Sequence, residues 1–202
     1  GIEKTDIYFR LATTKKFENG ILIVIPEIAE KGNGYIIFNS NIILINGKTG
    51  DIKSKFRGKK DWYIDAVGIS KIKIENKLYH LNKTTVGYGL QIFYSGQSKP
   101  NPYYATQLSI YAQQGDDFNQ VLKDYPIKIF NGETDTTCKG KFEEHFKKID
   151  ITNNQTNNYL NLKFTDSIEI SKRNKKCEKT ILETKSNIEI LKYKNGEYKN
   201  VL

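Results

Sequence analysis

Methionine is absent from the 202 residues. That absence predicts a trimmed N-terminus, with Gly1 left by tag cleavage and an export signal removed upstream. No apolar run approaches the roughly 18 residues that a membrane-spanning helix needs; the longest, 21–25 and 42–45, are far too short. Helix-forming Ala and Leu are far outnumbered by Ile, Tyr, Phe, Thr and Asn taken together, a balance that disfavours a helical protein and favours strands and turns. Histidine is limited to His80 and His145, and cysteine to Cys138 and Cys177. A structural zinc site is not expected from that set. No cofactor or metal motif is present, so none is expected.

What is there points to one globular domain over 1–202 with a real core. Aromatic residues make up 12% of the chain, including 13 Tyr and 10 Phe, which argues against disorder. Net charge is +9 and the isoelectric point about 9.3. The cations are spread as Lys15-Lys16, Lys59-Lys60, Lys147-Lys148, Lys172-Arg173 and Lys175-Lys176. Nucleic-acid proteins concentrate such charge on one face among stacking aromatics. Dispersed lysines read instead as solvated outer faces, so no nucleic-acid partner is expected. Cys138 and Cys177 sit in polar, turn-like settings rather than apolar runs. Free thiols tend to be buried, so the pair predicts a disulfide and an oxidising compartment.

Short apolar runs alternate with turn signals throughout, the pattern of an antiparallel β protein. Strands are predicted over 6–12, 20–26, 35–39, 41–46, 51–56, 63–75, 77–81, 88–94 and 106–112. More follow over 121–124, 127–130, 146–151, 159–165, 167–171, 180–184 and 187–194. The runs 21–25 and 42–45 are apolar on both faces and should be central. Asn-Gly pairs at 19, 33, 46, 131 and 195 each suit a tight hairpin, because both residues tolerate positive φ. The expected architecture is a meander of hairpins closed as a sandwich or barrel, with a small β-propeller as the alternative. At most two short helices are expected, over 116–125 and 140–148. Segments 95–102 and 152–158 read as exposed loops.

Candidate chemistry is sparse. Gly47-Lys48-Thr49 lacks the upstream glycine and following helix of a phosphate loop, so it reads as a hairpin turn. The run Asn131-Gly132-Glu133-Thr134-Asp135 alternates oxygen ligands, yet its glycine is misplaced for a calcium loop; an acidic turn is the better reading. His80 and His145 lack a convergent nucleophile among Ser70, Ser95, Ser98 and Ser109, and Cys138 has no activating partner. Aromatic residues Trp62, Tyr63, Tyr88, Tyr94, Tyr103 and Tyr104 crowd the middle of the chain. Rigid aromatics serve both interfaces and sugar platforms, so Trp62, Tyr103 and Tyr104 are the expected binding residues.

The closing pattern Glu189-Ile190-Leu191-Lys192-Tyr193-Lys194-Asn195-Gly196-Glu197-Tyr198-Lys199 resembles the terminal hairpin of many secreted or lipid-anchored proteins of AT-rich Gram-negative bacteria. The segment Tyr125-Pro126-Ile127 through Asp135, with Cys138 and Cys177, is similar to such proteins as well. The resemblance implies an envelope location and a β fold; it carries no activity and no functional residues. The expected function is therefore a non-enzymatic secreted or envelope protein that binds a protein or glycan partner. Its place would be the periplasm, the outer-membrane surface or the medium, with the membrane touched only through a lipid anchor. Alternatives are a hydrolase using Asp61, Asp65, Glu143 or Glu144, and an anion or nucleic-acid binder.

Overall fold

The computed structural model describes residues 6–200. Thirteen strands form one mostly antiparallel sheet, built from two meanders. The first comprises β1 (Thr13–Phe17), β2 (Gly20–Gly32), β3 (Tyr35–Ile45) and β4 (Ile52–Arg57), with β5 (Trp62–Ile64) added to the first half of β3. The second runs β6 (Val67–His80), β7 (Val86–Gly96), β8 (Tyr103–Gln114), β9 (Asp117–Thr134), β10 (Gly140–Thr156), β11 (Tyr159–Arg173), β12 (Lys179–Lys194) and β13 (Glu197–Asn200). Each strand of this second set pairs with the next. A single parallel bridge, Lys55 to Asp117, links the meanders.

Packing explains the order. Apolar side chains of the first meander, among them Leu22, Val24, Phe38, Ile42 and Leu44, pack on Ile69, Ile72, Ile74, Tyr88, Leu90, Ile92 and Tyr111 from β6–β8. A second cluster joins Leu108, Ile110, Ala112, Val121 and Leu122 to Leu162, Phe164, Leu191 and Tyr198. The middle strands are thus covered on both sides. The sheet does not close into a barrel, and its continuity from strand to strand is unlike the separate blades of a propeller.

The expected helices are absent: 116–125 lies almost wholly in β9 and 140–148 begins β10. Both segments gain ladder partners, Ala112↔Asn119 and Ile110↔Leu122 for one, and two flanking strands for the other. Such pairing outweighs weak local propensity. A 3-10 turn, Phe9–Leu11, lies inside the strand expected at 6–12. Segment 152–158 extends the β10–β11 hairpin instead of looping freely. Asn195-Gly196 is the tight turn expected, with φ of 55° and 88°. Asn131-Gly132 is not a turn. It lies in β9, where a Cβ on Gly132 would stand 2.7 Å from the Phe142 ring; glycine there admits the aromatic. A strand also sends 131–134 alternately to opposite faces, which removes the acidic turn and any cation loop.

Beyond the two cores, the sheet continues as a distal ladder from the ends of β9 and β11 and the starts of β10 and β12. Its residues on β9, β10 and β11 are half-buried or exposed apart from Phe142 and Ser171, and the first ten of β12 are exposed throughout. Cys138 and Cys177 join the β9–β10 and β11–β12 tips of this ladder in a disulfide, with Cα atoms 4.9 Å apart.

Candidate functional site

β5 is short, and its alternation decides what faces outward. Trp62 turns into the first core and is 1% exposed, so the expected binding role for its ring is not available at the surface. Its neighbour Tyr63 points the other way and is 58% exposed. Asp61 and Asp65, two residues to either side, line the same cleft as Tyr63. Both carboxylates are held: Asp61 accepts the Ser40 backbone N–H at 3.0 Å and the Ser40 hydroxyl, and Asp65 accepts the Val67 N–H at 2.8 Å.

The opposite wall comes from β7–β9. Tyr94, Tyr103, Gln107 and Asp124 complete a cleft of about 590 Å³, a size that suits a small ligand. Asp124 stands at a break in the β8–β9 register with φ of 45°. Its Oδ1 accepts the Ser109 hydroxyl at 3.1 Å, and its N–H donates to Ser109 Oγ at 3.0 Å. Burial raises the Asp124 carboxyl above its ordinary value; the Ser109 bond and Lys123 oppose this, and the charge of Asp61 adds to it. Tyr94 is also held protonated, first by burial and then by the negative charge of Asp124 and its neighbours. Three tyrosines, three carboxylates and one amide therefore converge.

No family model matches the chain, and no curated protein or solved structure does either. The cleft must be read from its own chemistry. The sequence pointed to Tyr103, Asp61 and Asp65, which meet here. It did not single out Asp124, in a segment that read both as a strand over 121–124 and as a short helix over 116–125. It also grouped Tyr104 with Tyr103, but the two are consecutive on β8, so Tyr104, 55% exposed, turns to a different surface.

That surface belongs to the distal ladder. Tyr104 lies 5.7 Å from Phe130, Phe130 stacks 5.5 Å from Phe142, and the Arg173 guanidinium covers Phe142 at 4.7 Å. Glu143 and Glu144 are consecutive on β10 and so face opposite ways. Glu144 lies 3.9 Å from Lys179. Glu143 bonds His145 Nε2 at 2.8 Å, and Asp166 bonds Nδ1 at 2.9 Å. They are not a catalytic pair. His80 lines a separate polar cavity with Asn82, Asn153 and Asn158.

Burial disfavours charge on His145, but the hydrogen bonds and negative charge of Asp166 and Glu143 outweigh it and raise its pKa. A raised folded value means that protonation stabilises the fold. That contribution is full below the unfolded value of about 6.5 and disappears as pH rises through the folded one. Urea unfolding across this window should show stability falling with pH, and His145→Gln should flatten the profile. A wild-type profile already flat there would contradict the bridge.

The disulfide fits an oxidising compartment outside the cytosol. Among the described residues, no helix is long and apolar enough to cross a membrane.

Proposed function

We propose that this chain is a non-enzymatic extracytoplasmic binding protein that takes a neutral glycan in the Tyr63–Tyr94–Tyr103 cleft. The observation that carries the reading is the convergence of Asp61, Asp65, Asp124 and Gln107 on the same space as those rings. A sugar offers apolar C–H faces and hydroxyl edges. Tyrosine rings suit the first, and fixed carboxylates accept hydrogen bonds from the second. Three acidic groups would repel an anionic ligand, even though the whole protein is basic. The periplasm, the outer-membrane surface or the medium would each supply such ligands, with a lipid anchor as the means of retention.

A panel of neutral oligosaccharides, screened by array and then titrated calorimetrically, tests this. Tyr63→Ala and Tyr103→Ala should each weaken binding about tenfold, the loss of about 1.4 kcal/mol expected when one aromatic platform is removed. Asp65→Asn should weaken it less, since an amide still accepts. No binding across the panel, or binding indifferent to all three changes, would overturn the reading.

One observation favours a second reading. Asp124 is pushed towards its protonated form beside Asp61 in the same cleft, and carboxylates with divergent acidities divide acid and base roles in glycoside hydrolysis. Release of new reducing ends from a bound oligosaccharide would establish that reading. An unchanged ligand after prolonged incubation would leave binding alone.

A further inference from the structure

A second cavity lies at the other end of β6 from the tyrosine cleft. Val67, which begins that strand, lines the cleft, and His80, which ends it, lines the cavity. Two connections wall it. The one between β6 and β7 is closed by the Leu81 N–H donating to Thr85 O at 3.0 Å. Within it, Asn82 Oδ1 accepts the N–H groups of Thr84 at 2.9 Å and Thr85 at 2.6 Å. The β10–β11 hairpin is widened by a register break between Ile151 and Gln155. It turns at Asn157 and Asn158, with φ of 51° and 65°, a backbone that asparagine tolerates. The Leu160 N–H donates to Leu81 O at 2.7 Å and ties the two walls together. This framework uses the Asn157 amide, which donates to Tyr193 O at 2.9 Å, and Asn161 Oδ1, which accepts the Thr156 hydroxyl at 2.9 Å. Other polar groups are left over.

The side chains of Asn153, Gln155 and Asn158, the Asn82 NH2, the His80 ring and the Lys83 ammonium make no hydrogen bond to a described residue. All six line one space of about 720 Å³, well within the range of small-ligand sites. Among the described residues, no carboxylate and no aromatic ring lines it, and Leu160 is its one apolar side chain. The tyrosine cleft, by contrast, holds three carboxylates. This lining narrows the ligand. A nucleobase or an acyl chain would find nothing to stack on or pack against, and a cation would meet Lys83. A carboxamide donates and accepts at once, which matches the hydroxyls of a sugar. Lys83 adds a compact positive charge for which no neighbouring carboxylate competes. We propose that this cavity binds an acidic sugar, with its carboxylate or phosphate at Lys83 and its hydroxyls on Asn153, Gln155 and Asn158. The site is separate from the neutral-glycan cleft and stands or falls independently of it.

Calorimetric titration of the intact chain with a glucuronate oligosaccharide, glucose 6-phosphate, a neutral glucose oligosaccharide and inorganic phosphate tests it. An acidic sugar should bind, and the tighter of the two tells whether Lys83 meets a carboxylate or a phosphate. Lys83→Glu should weaken that binding about tenfold or more, because a like charge then faces the ligand. Asn158→Asp keeps the shape of the turn residue but adds a negative charge, and should do the same. Both positions are exposed, so the circular dichroism spectrum should not change. Gln155→Ala should weaken the acidic sugar about three- to tenfold through a lost hydroxyl contact. Any binding of the neutral oligosaccharide should be unaffected by Lys83→Glu, which separates this cavity from the tyrosine cleft. No binding of either acidic sugar, binding indifferent to both charge changes, or inorganic phosphate held as tightly as the acidic sugar overturns the proposal. Equal weakening of neutral and acidic sugars by Lys83→Glu overturns it as well.

Discussion

Trp62→Ala is expected to cost about 3–5 kcal/mol of folding stability, while Tyr63→Ala, one residue away, should cost less than about 0.5 kcal/mol. The contrast follows from β5 alone. Trp62 is among the largest fully buried side chains and stands opposite Phe38 in the ladder with β3. Truncating it removes an aromatic from the first core and leaves a cavity that β3, fixed in its ladder with β2, cannot collapse to fill. Tyr63 loses only surface contact, so its replacement should act on ligand binding instead. Trp62 is the sole tryptophan, so its fluorescence disappears with the substitution and unfolding must be followed by far-ultraviolet circular dichroism. At about 2–4 °C per kcal/mol for a domain of this size, the melting temperature should fall by about 10 °C. A shift of a degree or two for Trp62→Ala would mean that β5 is not anchored as described.

That pair also shows what the sequence could reveal and what it could not. Short apolar runs between turn signals told strand from helix over most of the chain, and the run 21–25, apolar on both faces, was expected to be central; in β2 its Leu22 and Val24 are buried while Ile21, Ile23 and Ile25 are half-buried. The period of a strand says that Trp62 and Tyr63 face opposite ways; it does not say which way is in. The answer lies in β3, whose Phe38 meets Trp62 in the ladder. Asp61 and Asp65 were visible as carboxylates near aromatics, but Asp124 comes from far along the chain, and a register break in β9 turns it into the cleft. No local pattern announces a bulge. In the distal ladder the failure ran the other way. Segment 140–148 alternates charges and aromatics that local reading takes for a short helix, and only pairing with β9 and β11 fixes it as a strand. Ile181 and Ile188 fall in the strands predicted at 180–184 and 187–194, but nothing local shows that both stand exposed on β12.

The same uncovered ladder makes the disulfide the second large effect. Cys138 and Cys177 are 39 residues apart in sequence, and closing a loop of that length is worth up to about 4 kcal/mol in the chain-entropy account. In a compact core that stabilisation would be shared by the whole domain. Here the linked tips end a region with few buried apolar residues, Phe142 among them, held otherwise by backbone ladders and by ion pairs such as Lys179 with Glu169. Exposed ion pairs contribute little, and ladder bonds facing water open readily. The double replacement Cys138→Ser/Cys177→Ser should therefore concentrate its cost at the tips. Amide hydrogen exchange should lose most of its protection over 140–147, 167–173 and 179–186, with β7 and β8 nearly unchanged. Loss spread evenly over the molecule would mean that the distal ladder and the cores unfold as one unit. Unchanged protection at the tips would mean that pairing alone holds the single layer, and the sulfur link would then owe its place to something other than the stability of the sheet.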